Sequence, residues 1–583
     1  MNRTLQIKSR LKIVLIALAV LHSIIVLRAL YVQQVDGEWL NERLRKQTKR
    51  IITLQARRGY IFDQHGKRLA MDVPYMSVFV VPSMLKTGKE RKFFAKEMSK
   101  PLKMKPAEIE AKLAEATRAK PYVWLQRFTT EEIAENVAKT IKENQFNCVA
   151  AIREQKRVYP NSTTAAQVIG FVGEGGGLEG IEMTRNSMLS GRNGYIVLQK
   201  DHLGRSIPQS IREEQPARNG YNIWLTLDQT IQHYAEDQLT RTIQEFNARG
   251  GAALVIETKT GRILAMASQP SFDPNNYKEY LKTDPTSFRN RVIWFRFEPG
   301  SIMKPLIVST ALDRKVIEPF KEMIYCQPVM MVSGHPIKDD HGVDIPNMKT
   351  PVYVIAHSSN TGAARIALMM GASGIASMIN RFYFNKNYSF PLTGQQGNML
   401  PNLNHMAQLT IADNGFGYAI SVSMLHMAMA TAAIANDGQL MQPLIIDKVT
   451  GARGKVLHES TPKVLNQAVS PETAKLMRYM MSRVVEEGTG KNARIPGYTV
   501  AGKTGTAKIV RDGGYRAGEY FASFVGYAPV EDPRLLVMVT IERPTPVYYA
   551  AQVAAPAFKE IMMKSLWHLD VPPSKVKQDQ IAY

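Results

Sequence analysis

Cysteine is close to absent from this chain. Cys148 and Cys326 are the only two in 583 residues, far apart and without metal-ligand spacing around either. That excludes a disulfide-built scaffold and a cysteine-rich zinc module, and two buried thiols are expected rather than a bridge. The eleven histidines include no H-x-x-x-H pair, so the spacing offers no metal site, and no cofactor is expected. The Gly-rich stretch GEGGGLEGIE lacks a following Gly-Lys-Ser/Thr, so turns are expected there and not a phosphate loop. Acidic residues are also scarce, 51 against 74 lysines and arginines, for a net charge of +23. Such an excess suits an anionic partner: nucleic acid, an acidic membrane surface or a polyanionic matrix.

Long apolar runs are limited to one. IVLIALAVLHSIIVL, residues 13–27, follows Arg3, Lys8, Arg10 and Lys12 and continues past Arg28 to Val32. A span needs about 20 mostly apolar residues, and Ile13 to Val32 supplies them if Arg28 snorkels to the headgroups. The basic flank favours an N-terminus in the cytoplasm, a tail of residues 1–12. Cleavage after the A-x-A at Ala17 and Ala19 would leave an apolar stretch below the roughly 7–15 residues of a signal peptide. A transmembrane anchor at 13–32 is therefore expected, with the bulk of the chain outside the cytoplasmic (inner) membrane. That location makes nucleic acid an unsuitable partner.

What is present reads as globular: 45% hydrophobic and 21% charged residues, with a length suited to two or three domains. Residues 51–82 alternate like short strands with a turn at Asp63 and Gly66. Residues 105–145 read as helical, with Pro106 opening one helix and Thr129 with Glu132 as a capping box for another. LGRSIPQSIREEQPARNG, residues 203–220, reads as a linker. From Tyr221 a strand, a long amphipathic helix and a hairpin turning at Thr260 and Gly261 follow. TVAGKTGTAKIV, YFASFVGYAPV and RLLVMVTI read as three further strands, with helices between the two strand groups. Such an order predicts one α/β or α+β domain. Residues 570–583 are expected to be loose.

FEPGSIMKPL, residues 297–306, contains Ser-x-x-Lys, a hydroxyl and an amine one helical turn apart. The pattern occurs five times, at Ser9, Ser83, Ser301, Ser460 and Ser574. A serine nucleophile needs a base in reach and oxyanion donors nearby. Only Ser301 has a Pro-Gly turn before it and an apolar helical run after it. Locally, a nucleophile and a helix cap remain equally good readings. Ser358-Ser359-Asn360 is the only Ser-x-Asn, and of three Lys-Thr-Gly copies only Lys503 follows it. Ser301-x-x-Lys304, Ser358-x-Asn360 and Lys503-Thr504-Gly505 then form the ordered trio of penicillin-binding proteins and serine β-lactamases.

With these motifs the chain resembles the class B penicillin-binding proteins. RRGYIFDQHGKRLA matches that family's N-terminal block at Arg58, Gly59, Ile61, Asp63, Gly66, Leu69 and Ala70. RVYPN with GLEGIE at 177–182 resembles a second block, and RNR at 289–291 and AGKTGTAK at 501–508 look like catalytic-domain signatures. The resemblance runs from about 50 to about 565, is greatest to the division-specific transpeptidases, and includes no glycosyltransferase region. It implies a multidomain protein: the anchor, an α+β pedestal (dimerisation-like) domain at 33–220, a penicillin-binding transpeptidase domain at 221–568, and a tail at 569–583. The transpeptidase domain would be α/β, an antiparallel sheet with helices on both sides and a helical subdomain. It also implies Ser301 as nucleophile towards a D-Ala-D-Ala stem peptide and Lys304 as base, its pKa lowered by Lys503. Ser358 would relay a proton and Asn360 hold the substrate amide. Lys503, Thr504 and Thr506 would bind the terminal carboxylate, Gly505 would permit close approach, and the N–H groups of Ser301 and Thr506 would form the oxyanion hole. Expected partners are peptidoglycan stem peptides, β-lactams, the membrane, and a polytopic glycan polymerase with other division proteins.

No glutamate lies between Glu322 and Glu459, the interval where a class A β-lactamase has its deacylating residue, so a penicillin acyl-enzyme is expected to persist. GFGYAISVSMLHM, residues 415–427, departs from the family's G-x-G and V-T-P-x-Q: Ala419 replaces a glycine, Ser423-Met424 replace Thr-Pro, His426 replaces Gln, and His357 stands where Lys is common. Drift in supporting loops is the expectation. An elongation-specific transpeptidase, a penicillin sensor and a catalytically silent scaffold stay as alternatives; a sensor would need more than a dozen cytoplasmic residues.

Overall fold

The middle of helix Arg3–Gln34, residues 13–27, carries no formal charge, and its Leu15, Ile16 and Leu18 side chains are all more than half exposed. A helix of that kind is unstable in water and suited to lipid. The stretch Gln6–Gln34 has 29 residues, none of its most apolar part buried, and is about 44 Å long at 1.5 Å per residue. It contains the expected 13–32 segment and is a candidate membrane span. The structure, a computed structural model, describes residues 3–117, 121–200, 206–207, 213–339, 347–511 and 514–574; most of the tail expected to be loose lies outside them.

Two compact units follow from the packing: Met1–Arg57 with Gly191–Asn219, and Arg58–Ser190 with Gly220–Tyr583. In the first, strand Lys49–Leu54 pairs antiparallel with Gly194–Lys200, which pairs on its other side with Glu213–Gln215. The segment read as a linker at 203–220 thus carries a strand. Its polar composition concealed this, because ladder hydrogen bonds come from backbone, and Tyr195 Oη donates to Glu213 at 2.5 Å to hold the register.

In the second unit the N-terminal hairpin is present as expected, Ile61–Phe62 against Arg68–Val80 around the Asp63–Gly66 turn. Region 105–145 is not helical throughout. Between helices Pro106–Leu113 and Glu131–Asn144 lies strand Val123–Thr129, rich in Val, Trp, Leu and Phe and paired antiparallel with Arg68–Val80 through Val123, Trp124, Gln126 and Thr129; β-propensity and pairing override the flanking helical pattern. The cap is Thr130, whose hydroxyl accepts from Ile133 N–H, and not Thr129. A capping box does exist at Thr87 and Glu90. The two N-terminal sequence blocks meet in a buried charge network. Arg58 Nε donates to Glu182 at 2.6 Å and Arg157 Nε to the same carboxylate at 2.7 Å, while Arg157 also pairs with Asp72 at 3.1 Å. Cys148 and Cys326 are buried free thiols.

A five-stranded sheet runs Ile263–Gln269, Gly250–Glu257, Leu535–Glu542, Gly514–Ala528, Ala501–Arg511, antiparallel throughout. Period-2 alternation here divides two buried faces rather than core from solvent. Ala253 and Val255 pack with Ile231, Leu239 and Phe558 of helices Gln229–Glu245 and Ala550–His568. Leu254 and Ile256 face the opposite layer, which holds Leu306, Ile366, Met427 and Met480 from four further helices. Helix Asn360–Arg381 belongs to that layer and is also long and apolar enough to cross a membrane, yet 56% of its apolar window is buried in protein. It is a core helix.

Removing one partner of a buried ion network leaves the others uncompensated. Glu182→Ala, which strands Arg58 and Arg157, is expected to cost about 3–5 kcal/mol, read as a fall in thermal and denaturant midpoints. Glu182→Gln, which keeps its acceptor oxygen, should cost less.

Candidate active site

Ser301 is placed by a tight turn. Gly300 adopts φ +56°, open to glycine at no steric cost, and its N–H donates to Gly417 O at 3.0 Å. A 3-10 turn, Gly300–Met303, feeds helix Lys304–Asp313, with Pro305 in the first turn where no intrahelical donor is lost. Ser301 is half-buried and Lys304, at the helix start, is fully buried.

Lys304 reaches the short link between helices Pro351–Ala356 and Asn360–Arg381. Its ammonium donates to Ser358 O at 2.5 Å, to Ser358 Oγ at 3.2 Å and to Asn360 Oδ1 at 2.7 Å. Ser358 has φ +61°, a left-handed conformation that costs a non-glycine residue on the order of 1 kcal/mol or more and is held by its surroundings. From the other side Lys503, on edge strand Ala501–Arg511 and fully buried, donates to the same Ser358 Oγ at 2.9 Å and to Thr504 O at 3.3 Å. One serine hydroxyl therefore bridges two buried lysines. Lowering by the neighbouring lysine, expected for Lys304, is seen at Lys503: burial first, and the charge of Lys304 second, hold its pKa well below the ordinary lysine range. Once one amine is neutral it can accept the Ser358 proton, so the three groups form a short path along which a proton can move.

The Lys-Thr-Gly strand lies directly against the Ser301 turn. A Cβ on Gly505 would stand 2.9 Å from Ile302 Cγ2 and 3.0 Å from Pro299 O. Thr504 Oγ1 is hydrogen-bonded to Thr489 Oγ1 at 2.8 Å and the residue is buried, whereas Thr506 is half-buried and its hydroxyl oxygen accepts from Ala550 N–H at 3.1 Å. That leaves the Thr506 proton available to an incoming anion. Lys304, Ser358, Asn360 and Lys503 are thus joined by hydrogen bonds, Ser301 stands in the turn that leads into Lys304, and Thr504, Gly505 and Thr506 lie on the adjoining strand.

Residues that sequence spacing did not single out complete the frame. Asp339 accepts from the Asn360 and Thr361 N–H groups and from the Ser359 and Thr361 hydroxyls, a carboxylate at a helix N-terminus. Lys338 O accepts from Asn360 Nδ2 at 2.9 Å, which leaves the Asn360 oxygen to face Lys304. Glu298, its pKa raised by burial, accepts from Ala419 N–H at 3.0 Å and ties the 415–419 loop to the Ser301 turn. Nothing in the spacing marks Asp339, 21 residues before Asn360.

The departures at 419–426 are structurally compensated. Ala419 takes φ +57° without a glycine. Ser423 caps helix Met424–Ala435 by accepting from His426 N–H, and its hydroxyl lies 2.8 Å from His426 Nδ1. His426 Nε2–H donates to Lys386 O at 2.9 Å, so both ring nitrogens are satisfied in a fully buried imidazole whose pKa burial lowers. His357 stacks on Tyr353, with ring centres 4.2 Å apart.

Known proteins share the organisation of this chain. The penicillin binding protein transpeptidase domain matches residues 251–563, and the penicillin-binding protein dimerisation domain matches residues 53–225. The chain belongs to the penicillin-binding proteins, in the class B arrangement of a dimerisation domain followed by a transpeptidase domain. It is 31% identical to the probable peptidoglycan D,D-transpeptidase PenA of Neisseria meningitidis, over 97% of this chain and 94% of that one. It is 30% identical to the peptidoglycan D,D-transpeptidase FtsI of Escherichia coli K12, over 94% of this chain and 89% of that one. Penicillin binding protein 2X of Streptococcus thermophilus shares the fold with a TM-score of 0.74 at 24% identity, over 90% of this chain and 82% of that one.

Two measurements test the frame. Lys503→Met removes a buried cation, so it is expected to raise the melting temperature at pH 7. Because the lysine pKa is lower folded than unfolded, wild-type stability should rise with pH towards about 10.4 as the unfolded lysine deprotonates, and the advantage of the variant should shrink. Gly417→Ala puts a Cβ 2.1 Å from Gly300 O, and is expected to cut covalent labelling by fluorescent penicillin at least about tenfold through displacement of the Ser301 turn.

Proposed function

We propose that this chain is a membrane-anchored peptidoglycan D,D-transpeptidase that cross-links stem peptides through a serine acyl-enzyme and is inhibited covalently by β-lactams. The observation that carries the reading is the Lys304–Ser358–Lys503 arrangement behind the Ser301 turn. PenA and FtsI, similar over nearly the whole chain, are named for that reaction.

In the proposed reaction Ser301 Oγ attacks the carbonyl of the penultimate D-Ala while its proton passes to Lys304. The tetrahedral oxygen is met by the N–H groups of Ser301 and Thr506. As the C–N bond breaks, the proton leaves through Ser358 Oγ to the amine of the departing D-Ala. Lys503, with the Thr504 and Thr506 hydroxyls, pairs with that residue's carboxylate, and Asn360 orients both Lys304 and the substrate amide. Gly505 lets the substrate backbone lie against the strand. The amine of a second stem peptide then attacks the ester, forms the cross-link and frees Ser301. No glutamate stands between Glu322 and Glu459 to activate water against the ester.

Helix Arg3–Gln34 supports a single-pass anchor across the cytoplasmic membrane, with residues 1–12 inside and the pedestal (33–220), transpeptidase domain (221–568) and tail (569–583) outside. Resemblance to FtsI supports septal wall synthesis, beside a polytopic glycan polymerase and other division proteins.

Fluorescent penicillin is expected to label the wild-type chain and not Ser301→Ala, with acylation by Lys304→Ala slowed on the order of 10⁴-fold. An unlabelled wild type would rule out the enzyme reading. The label should persist for minutes or longer after a chase; release within seconds would mean that water reaches the ester.

A further inference from the structure

A second cluster of chemically competent side chains lies away from the Ser301 site and takes no part in the proposed reaction. His65 sits in the Asp63–Gly66 turn, Asp228 at the start of helix Gln229–Glu245, and His568 at the end of helix Ala550–His568. His65 Nε2 is 2.9 Å and His568 Nε2 3.0 Å from one atom, Asp228 Oδ2. Sequence spacing could not reveal this, since the histidines are 163 and 340 residues from that aspartate.

We propose that His65, Asp228 and His568 form a binding site for a divalent transition ion, zinc above all. Two imidazole nitrogens and one carboxylate oxygen are a donor set that suits zinc. The three donor atoms lie within 4.8 Å of one another, and donors at zinc bond lengths of about 2.0–2.1 Å in a tetrahedron stand about 3.3 Å apart. Small side-chain rotations therefore admit the ion. Each ligand is held from behind. Asp228 Oδ1 accepts from the Thr230 and Ile231 N–H groups at 2.9 and 3.1 Å, which fixes the carboxylate plane and leaves Oδ2 for the site. Asp63 Oδ1 accepts from His65 N–H at 2.9 Å and Lys67 N–H at 2.8 Å, which fixes the turn. The Gln64 side-chain amide stands 3.0 Å from Asp228 Oδ2 and 3.3 Å from His65 Nε2, so its oxygen, once the amide turns, or a water fills the fourth corner. Access is open from one side: the His65 side chain is 54% exposed above an aspartate that is 1% exposed.

An ion here would staple the last turn of helix Ala550–His568 to the 63–66 turn. The first turn of that helix donates to Thr506 Oγ1, so the staple secures the far end of an element whose near end touches the Ser301 site.

The test uses the full chain in detergent, stripped with EDTA and dialysed, then titrated with ZnCl₂. Wild type is expected to take up one zinc per chain at micromolar free ion and to gain several degrees in melting temperature, reversed by EDTA. Co²⁺ should give the visible bands of a four-coordinate nitrogen–oxygen site. His65→Asn and His568→Gln keep a hydrogen-bonding amide near Asp228 and lose the ligand, so each should fold, retain penicillin labelling and lose both zinc effects. No shift and no uptake in wild type overturns the site, as does a shift that survives in both variants. His65→Ala and His568→Ala serve as a second pair with the same expected loss.

Discussion

Two ammonium groups cannot share one dry hydroxyl without consequence, and most of the larger unit is arranged around that constraint. Lys304 and Lys503 both reach Ser358 Oγ from fully buried positions. Burial of either charge alone is costly, and burial of both together more so. The response is visible in Lys503, whose pKa is driven down, and in the acceptors gathered on Lys304, namely Ser358 O, Ser358 Oγ and Asn360 Oδ1. A site that destabilises the fold in this way persists because its framework over-determines it.

That framework draws on three separate parts of the chain. The Ser301 turn, the Ser358 link and the Lys503 strand come together only because the antiparallel sheet carries a helical layer on the face where the first two are held. Each contact that fixes them has backbone on at least one side: Gly300 with Gly417, Gly505 with Pro299 and Ile302, Asn360 with Lys338 O and the Asp339 carboxylate. At the departures in 419–426, Ser423 and His426 build a local hydrogen-bonded pair.

Legibility in the sequence followed the physics of each feature. The strands of the five-stranded sheet and the helix from Gln229 were plain because long runs with strong periodicity leave little choice of element. Val123–Thr129 and Glu213–Gln215 were hidden: the first sits between two helical patterns, and the second is polar and owes its state to a neighbouring strand. Thr130 took the cap in place of Thr129 by one residue, within the usual uncertainty of helix ends. Motif order pointed to Ser301, Lys304, Ser358, Asn360 and Lys503, and the fold joins the last four by hydrogen bonds. It had no access to Asp339, Thr489 or Glu298, which act through hydrogen bonds across the fold and carry no spacing of their own.

By itself the sequence determined the apolar N-terminal segment, the two-part organisation and which residues to propose as reactive, because composition, periodicity and motif order are properties of the chain alone. Only the tertiary structure decided that one serine oxygen lies between two lysines, that burial lowers the basicity of Lys503, and that Arg58 and Glu182 join the two N-terminal blocks. Distance, desolvation and shared acceptors depend on segments brought together from hundreds of residues apart, and they exist only once the chain has folded.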